Sequence, residues 1–289
     1  MKFKYLIIVF SIITVFIVLV TILVPLFIAR PAANILQGND SLGTSSFFAA
    51  NFRLIIMPLL LVMVLLLGCM GIFFFFNYRL LLLLEREDWP ALAYYLEQKI
   101  YVKGKYKNRF VRLLASSYLV VSDFASVLKL ENKAMLAKSS VIDKNILVFG
   151  AARVLSGNHA EAIVFFKTYL EKRNGKTSEK DVWVHWYYGF SLLLAGNFDN
   201  ARLEFISTIN TSRDAVAVGL SAFFLHNSIA KKCDSPDECR ADAERGRLRV
   251  VNTLKNAQKW NKEVAKLGGE IHIAVIKKYI DDAGVWLFS

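Results

Sequence analysis

Two charge-free apolar stretches open the chain, residues 5–29 and 54–76, and behind Asn77 the apolar positions recur at spacings of three and four. Each apolar stretch exceeds the roughly 20 residues that cross a hydrocarbon core. Both are read as membrane helices, joined by a short loop at 30–53. The first is too long for a secretory core and lacks a convincing small-residue cleavage site, so it is expected to be retained. The later spacing is that of amphipathic helices, with almost no proline and no alternating runs joined by Asn-Gly or Asp-Gly turns. The pattern therefore predicts an all-α chain, with a membrane anchor over 1–77 and a helical domain over 78–289.

Within the helical domain one pattern occurs twice. LLLAGNFDNARLEF (192–205) and VLSGNHAEAIVFF (154–166) carry glycine, alanine and phenylalanine at the same separations: Gly196, Ala201 and Phe205, and Gly157, Ala162 and Phe166. A further glycine stands seven residues earlier in each copy, Gly189 and Gly150. Helices packed side by side approach closely only where a side chain is missing. Gly150 and Gly189 are thus expected to leave a gap that Ala162 and Ala201 fill. Gly157-Asn158 and Gly196-Asn197 read as tight turns, where a positive φ is least costly.

These residues resemble the tetratricopeptide repeat family, whose unit is a helical hairpin of 34 residues. Gly189, Gly196, Phe198, Ala201 and Phe205 fall where the family has its small and aromatic positions, as do Gly150, Gly157, His159, Ala162 and Phe166. Ala115, Tyr118, Ser122, Phe124 and Val127 make a weaker copy. Departures are clear: Ile146 and His185 stand where the family has tryptophan, its usual proline is missing, and the good copies lie 39 residues apart. The resemblance implies an α-α superhelix with units at about 108–142, 143–175 and 182–213, capped by helices over 214–289. Among those helices, Ser235-Pro236-Asp237-Glu238 reads as a capped start, and 252–267 and 271–280 as amphipathic segments. In layout alone, a helix pair followed by repeats, the chain also resembles bacterial membrane proteins of the HemY type.

Charge changes the picture next. The chain carries 36 Lys and Arg against 24 Asp and Glu, and its mean hydropathy is +0.39. Bases crowd behind the second apolar stretch, from Arg79 through Arg112, while the loop at 30–53 holds only Arg30 and Arg53. The bias places both termini and the helical domain in the cytoplasm of a bacterial inner membrane. Setting aside Lys2, Lys4, Arg30, Arg53 and Asp40, 32 bases face 23 acids, a balance near +9. Beside a membrane such a charge implies attraction to anionic lipid, and less readily to nucleic acid. Lys103, Lys105 and Lys107 lie in a turn that a helix returning from Asp88 would bring toward the head groups. Lipid contact, a merely solvated turn and nucleic-acid contact are its three readings.

In the resembled family the positions of Trp183, Trp186 and Phe190 line a concave groove. The corresponding places on neighbouring hairpins hold Arg109, Arg112, Lys144 and Arg213. The resemblance thus implies an aromatic groove edged with bases, suited to a partner protein segment with acidic residues. The alternative is that both tryptophans pack against the next hairpin. The carboxylate clamp of chaperone-tail receptors is absent.

Chemistry has little purchase. His159, His185, His226 and His272 are scattered, and no P-loop, nucleophile elbow or dinucleotide fingerprint occurs. No cofactor or metal is expected. Of three cysteines, Cys69 lies in the second apolar stretch. Cys233 and Cys239 flank five residues and read either as free cytoplasmic thiols or as a disulfide. The function expected is a membrane-anchored adaptor that binds a partner segment. The alternative is an extracytoplasmic scaffold of an envelope machine with a Cys233–Cys239 disulfide, and an enzyme acting at the bilayer is a third reading.

Overall fold

The computed structural model describes residues 43–138, 140–173 and 181–289, with side chains from Leu61 onward. The apolar stretch at 5–29 lies outside the described residues. Among those described, every regular element is helical and no strand occurs. The chain divides into two compact units, Met1–Leu92 and Ala93–Ser289.

The first unit is dominated by helix α1, Gly43–Glu85. It starts at Gly43, inside the stretch expected to be a loop, and continues past Phe76 without a break. Nothing in 43–53 stops a helix: the stretch has neither proline nor a turn pair. From Leu61 to Glu85 it offers 25 residues of mean hydropathy 2.2, long and apolar enough to cross a membrane. Leu65, Leu66, Ile72, Phe75 and Phe76 stand exposed along it. The helix ends where Glu87 takes a positive φ of 53° and the Asp88 amide N–H donates to the Leu83 carbonyl. Asp88 then accepts from the Ala91 amide and opens α2, Trp89–Glu97.

The second unit is built from helical hairpins. It takes in the end of α2 and then a π-helical turn, Gln98–Val102. The hairpins are α3 (Asn108–Val120) with α4 (Phe124–Lys138), α6 (Ile146–Leu155) with α7 (His159–Lys172), and α8 (Val182–Leu194) with α9 (Phe198–Thr211). Short α5 (Ser140–Lys144) joins the first pair to the second. Then come α10 (Ala215–Phe224), a π-helical turn Leu225–Ile229, α11 (Pro236–Leu254), α12 (Ala257–Leu267), α13 (Ile271–Val275) and α14 (Lys277–Phe288). The first helices of successive hairpins touch in the order α3, α6, α8, α10. Each second helix packs against its own partner and against the next first helix: α4 on α3 and α6, α7 on α6 and α8, α9 on α8 and α10.

The repeated glycines explain the hairpins, though not quite as expected. Gly157 and Gly196 share a φ of 79°. Around each, the amide after the glycine bonds five residues back, Asn158 to Arg153 and Asn197 to Leu192. That is the Schellman closure, which favours a residue without Cβ. In the first hairpin Ser122 takes the same place at φ 58°, where a side chain is tolerated at some cost. Gly150 and Gly189 do mark close approaches, but phenylalanine rather than alanine fills them. A Cβ on Gly150 would run into the Phe166 ring, and one on Gly189 would lie 3.1 Å from Glu204 Cβ and 3.2 Å from Phe205.

The two sites predict different outcomes for the same substitution. Gly→Ala gains about 1 kcal/mol of helix propensity. At Gly150 the overlap with a fully buried ring outweighs it, for a net loss of about 1–3 kcal/mol. At Gly189 a few tenths of an ångström of give suffice, and the change is close to neutral. Urea midpoints of the two variants check this; equal midpoints would dismiss the close-approach account.

The C-terminal helices depart from a simple cap. Ser235 makes no side-chain cap bond, although Pro236 does start α11. The expected helix over 252–267 breaks at Lys255, whose φ is 66°, and restarts where Asn256 accepts from the Lys259 amide at 3.0 Å. Helix α14 packs on α10 and α12, and α13 reaches back to α6. Trp260, Ile273, Ile276, Ile280, Ala283 and Leu287 are all buried in the core.

Candidate functional site

Helix α8 places its aromatic residues inward. Trp186 is wholly buried, stacked on Phe190 at 5.0 Å and edge-on to Tyr187 at 5.2 Å, with Phe205 and Phe224 close by. Phe190 also meets Phe224 and Tyr279. Trp183 is buried too, and its Nε1 donates to Asp214 at 2.9 Å. The expected aromatic groove is therefore corrected: Trp183, Trp186 and Phe190 are core residues. The cause lies far along the chain. His272 of α13 sits against Trp183 and Tyr187, and the Tyr187 hydroxyl donates to its carbonyl at 2.7 Å. Segment 271–280 covers the face that the resemblance offered to a ligand.

The bases expected to edge the groove do stay at the surface. Arg109 and Arg112 stand exposed on α3, and Lys144 at the end of α5. Asn145 ties the two together, donating to Asn108 at 2.6 Å and to the Val141 carbonyl at 2.8 Å. Lys103, Lys105 and Lys107 are exposed in the turn just before α3, where Gly104 has a φ of 61°. This turn is anchored from below: Lys99 lies over the Tyr95 and Phe110 rings, and its carbonyl accepts from the Lys105 amide. Six bases thus gather around the start of α3. Arg213 is separate. It lines a cavity of about 500 Å³ with Asp214, Leu254, Glu263 and Lys266.

A second cleft escaped sequence reasoning. About 550 Å³ opens between α4, α5, α6 and α7. On its wall Arg153 holds the nearly buried Glu131 by two bonds of 2.5 and 3.0 Å, and its guanidinium lies 4.1 Å from the Phe165 ring centre. Met135 and Val164 stand exposed on its rim. The only local signal was those two apolar residues on otherwise polar helix faces.

The Cys233 and Cys239 sulfur atoms lie 2.7 Å apart as free thiols. Burial, then the bond to Cys233, pushes the Cys239 thiol up to about 12. Burial also pushes His272 down to about 4, and its Nε2 has no hydrogen-bond partner. No group of three or more His, Cys, Asp or Glu that could hold a metal ion occurs among the described residues.

Comparison with known proteins adds lineage. A Treponema pallidum (strain Nichols) protein named "Uncharacterized protein" is 26% identical over 219 residues, covering 73% of this chain and 69% of its own length. A family profile matches residues 126–289, from within α4 through the covering segment. That match takes in more than half of the chain, which therefore belongs to the family described as "Uncharacterised Treponema protein".

Proposed function

We propose that the chain is a membrane-anchored adaptor that binds an acidic segment of a partner protein. The observation that carries this reading is the gathering of Lys103, Lys105, Lys107, Arg109, Arg112 and Lys144 around the start of α3. The long apolar helix over Leu61–Glu85, exposed along much of Leu61–Phe76, with a second apolar stretch at 5–29, supports a two-span anchor in a bacterial inner membrane. The order of helix contacts supports a tetratricopeptide-like superhelix, and the distribution of bases supports a cytoplasmic position for it. The activity is binding, and the basic face takes the place of the aromatic groove. Phosphate head groups share the partner's negative charge and are the competing occupant of the same face.

A photo-cross-linking residue at Arg112, in membranes of cells making the protein, tests this. Capture of a defined protein, weakened by salt and lost on Lys144→Glu, is the expected result. Cross-links to lipid alone would reassign the face to the bilayer, and a protein found only in the soluble fraction would remove the anchor.

A further inference from the structure

We propose that Cys233 and Cys239 form a redox site, an intramolecular disulfide that fastens the start of α11 to the end of the preceding π-helical turn. The backbone already sets up the pair. The Cys233 amide donates to the Ile229 carbonyl at 3.0 Å, at the close of that turn, and the Cys239 amide donates to Ser235 at 3.2 Å in the first turn of α11. The two sulfur atoms, 2.7 Å apart, are within ~0.7 Å of the ~2.0 Å of an S–S bond. Small side-chain adjustments bring them to bonding distance, with no hinge and no helix displacement.

The neighbourhood divides the roles. Cys233 is partly exposed and is the thiol that an oxidant meets first, whereas Cys239 is fully buried. Arg202 stands beside them, held by Glu238 at 2.9 Å and Asp242 at 3.5 Å, and its charge favours the Cys239 thiolate. Its Nε is buried with no hydrogen-bond partner. The oxidant is an organic disulfide. The Cys233 thiolate attacks one of its sulfur atoms, forming a mixed disulfide and releasing one thiolate. Cys239 then attacks Cys233 Sγ, the Cys233–Cys239 bond forms, and the second thiolate leaves. Two protons pass from the cysteines to the released thiolates. The protein loses two electrons and the small disulfide gains them.

The experiment uses the full chain in detergent, with Cys69→Ser so that only these thiols remain, and oxidised glutathione as the probe. Both thiols are expected to vanish with no retained glutathione. Cys239→Ser is expected to leave Cys233 carrying glutathione, and Cys233→Ser to leave Cys239 unmodified. The oxidised chain should melt roughly 4–8 °C above the reduced one. Two surviving thiols, or a glutathione adduct that persists on the chain with both cysteines, would overturn the site. Identical melting of the two forms would overturn the fastening.

Discussion

Trp186→Ala lowers stability by about 3–5 kcal/mol, the range for deleting a large aromatic from a packed core. In a unit of this size that is a fall of roughly 10 °C in Tm. The ring touches Tyr187, Phe190, Phe205 and Phe224, so its removal opens a hole bounded by other rings that cannot all close in. One feature works the other way: Nε1 is buried without a partner, so the native residue already carries an unsatisfied donor. Trp186→Phe removes that donor and keeps most of the packing, and should cost much less than alanine. Calorimetry of both variants decides the matter. An unchanged Tm for alanine, with weaker recovery of a partner, would return this side chain to a binding surface.

The second large effect is expected from acid. His272 has a native pKa of about 4 because burial disfavours its charge, against 6.5 when exposed in the unfolded chain. Between those values the unfolded state holds more proton, so stability rises with pH there. The contribution is complete above pH 6.5 and is lost as pH falls toward 4. It amounts to roughly 3 kcal/mol. His272→Gln removes this titration, while every carboxylate titrates alike in both proteins. The difference between their urea stabilities across pH 4–7 isolates the histidine, and a flat difference would contradict its neutral burial. Acid should also loosen the contact with Trp183 and Tyr187 first, seen as a change in tryptophan emission.

Much of this architecture could be read from local patterns, because local patterns cause it. Spacings of three and four fix the helical class. Gly157 and Gly196 announce their turns because a positive φ is a property of a few residues. What could not be read depends on distant residues. An apolar stripe on α8 looks the same whether a partner or the chain itself covers it, and here the cover comes from His272, 85 residues beyond Tyr187. The alanine-for-phenylalanine error at Gly150 has a similar origin, since spacing places both on one face and only packing decides which ring enters. Lys255 breaks its helix without glycine or proline, and the one local sign is Asn256, which caps the restart. On the candidate site, the exposed bases were legible because charge seeks water. The Glu131–Arg153 pair was not, since it joins two helices through a buried contact.

The return of α13 onto α6 and α8 also sets an order of events during synthesis. Trp183 and Tyr187 are made well before the segment that shelters them, and at 5–20 residues per second the interval across the 85 residues from Tyr187 is roughly 4–17 s. Throughout it the nascent chain shows a sticky row of rings to its surroundings. A product cut short anywhere before Ile271 would never hide them, and is marked for holding factors or for proteolysis.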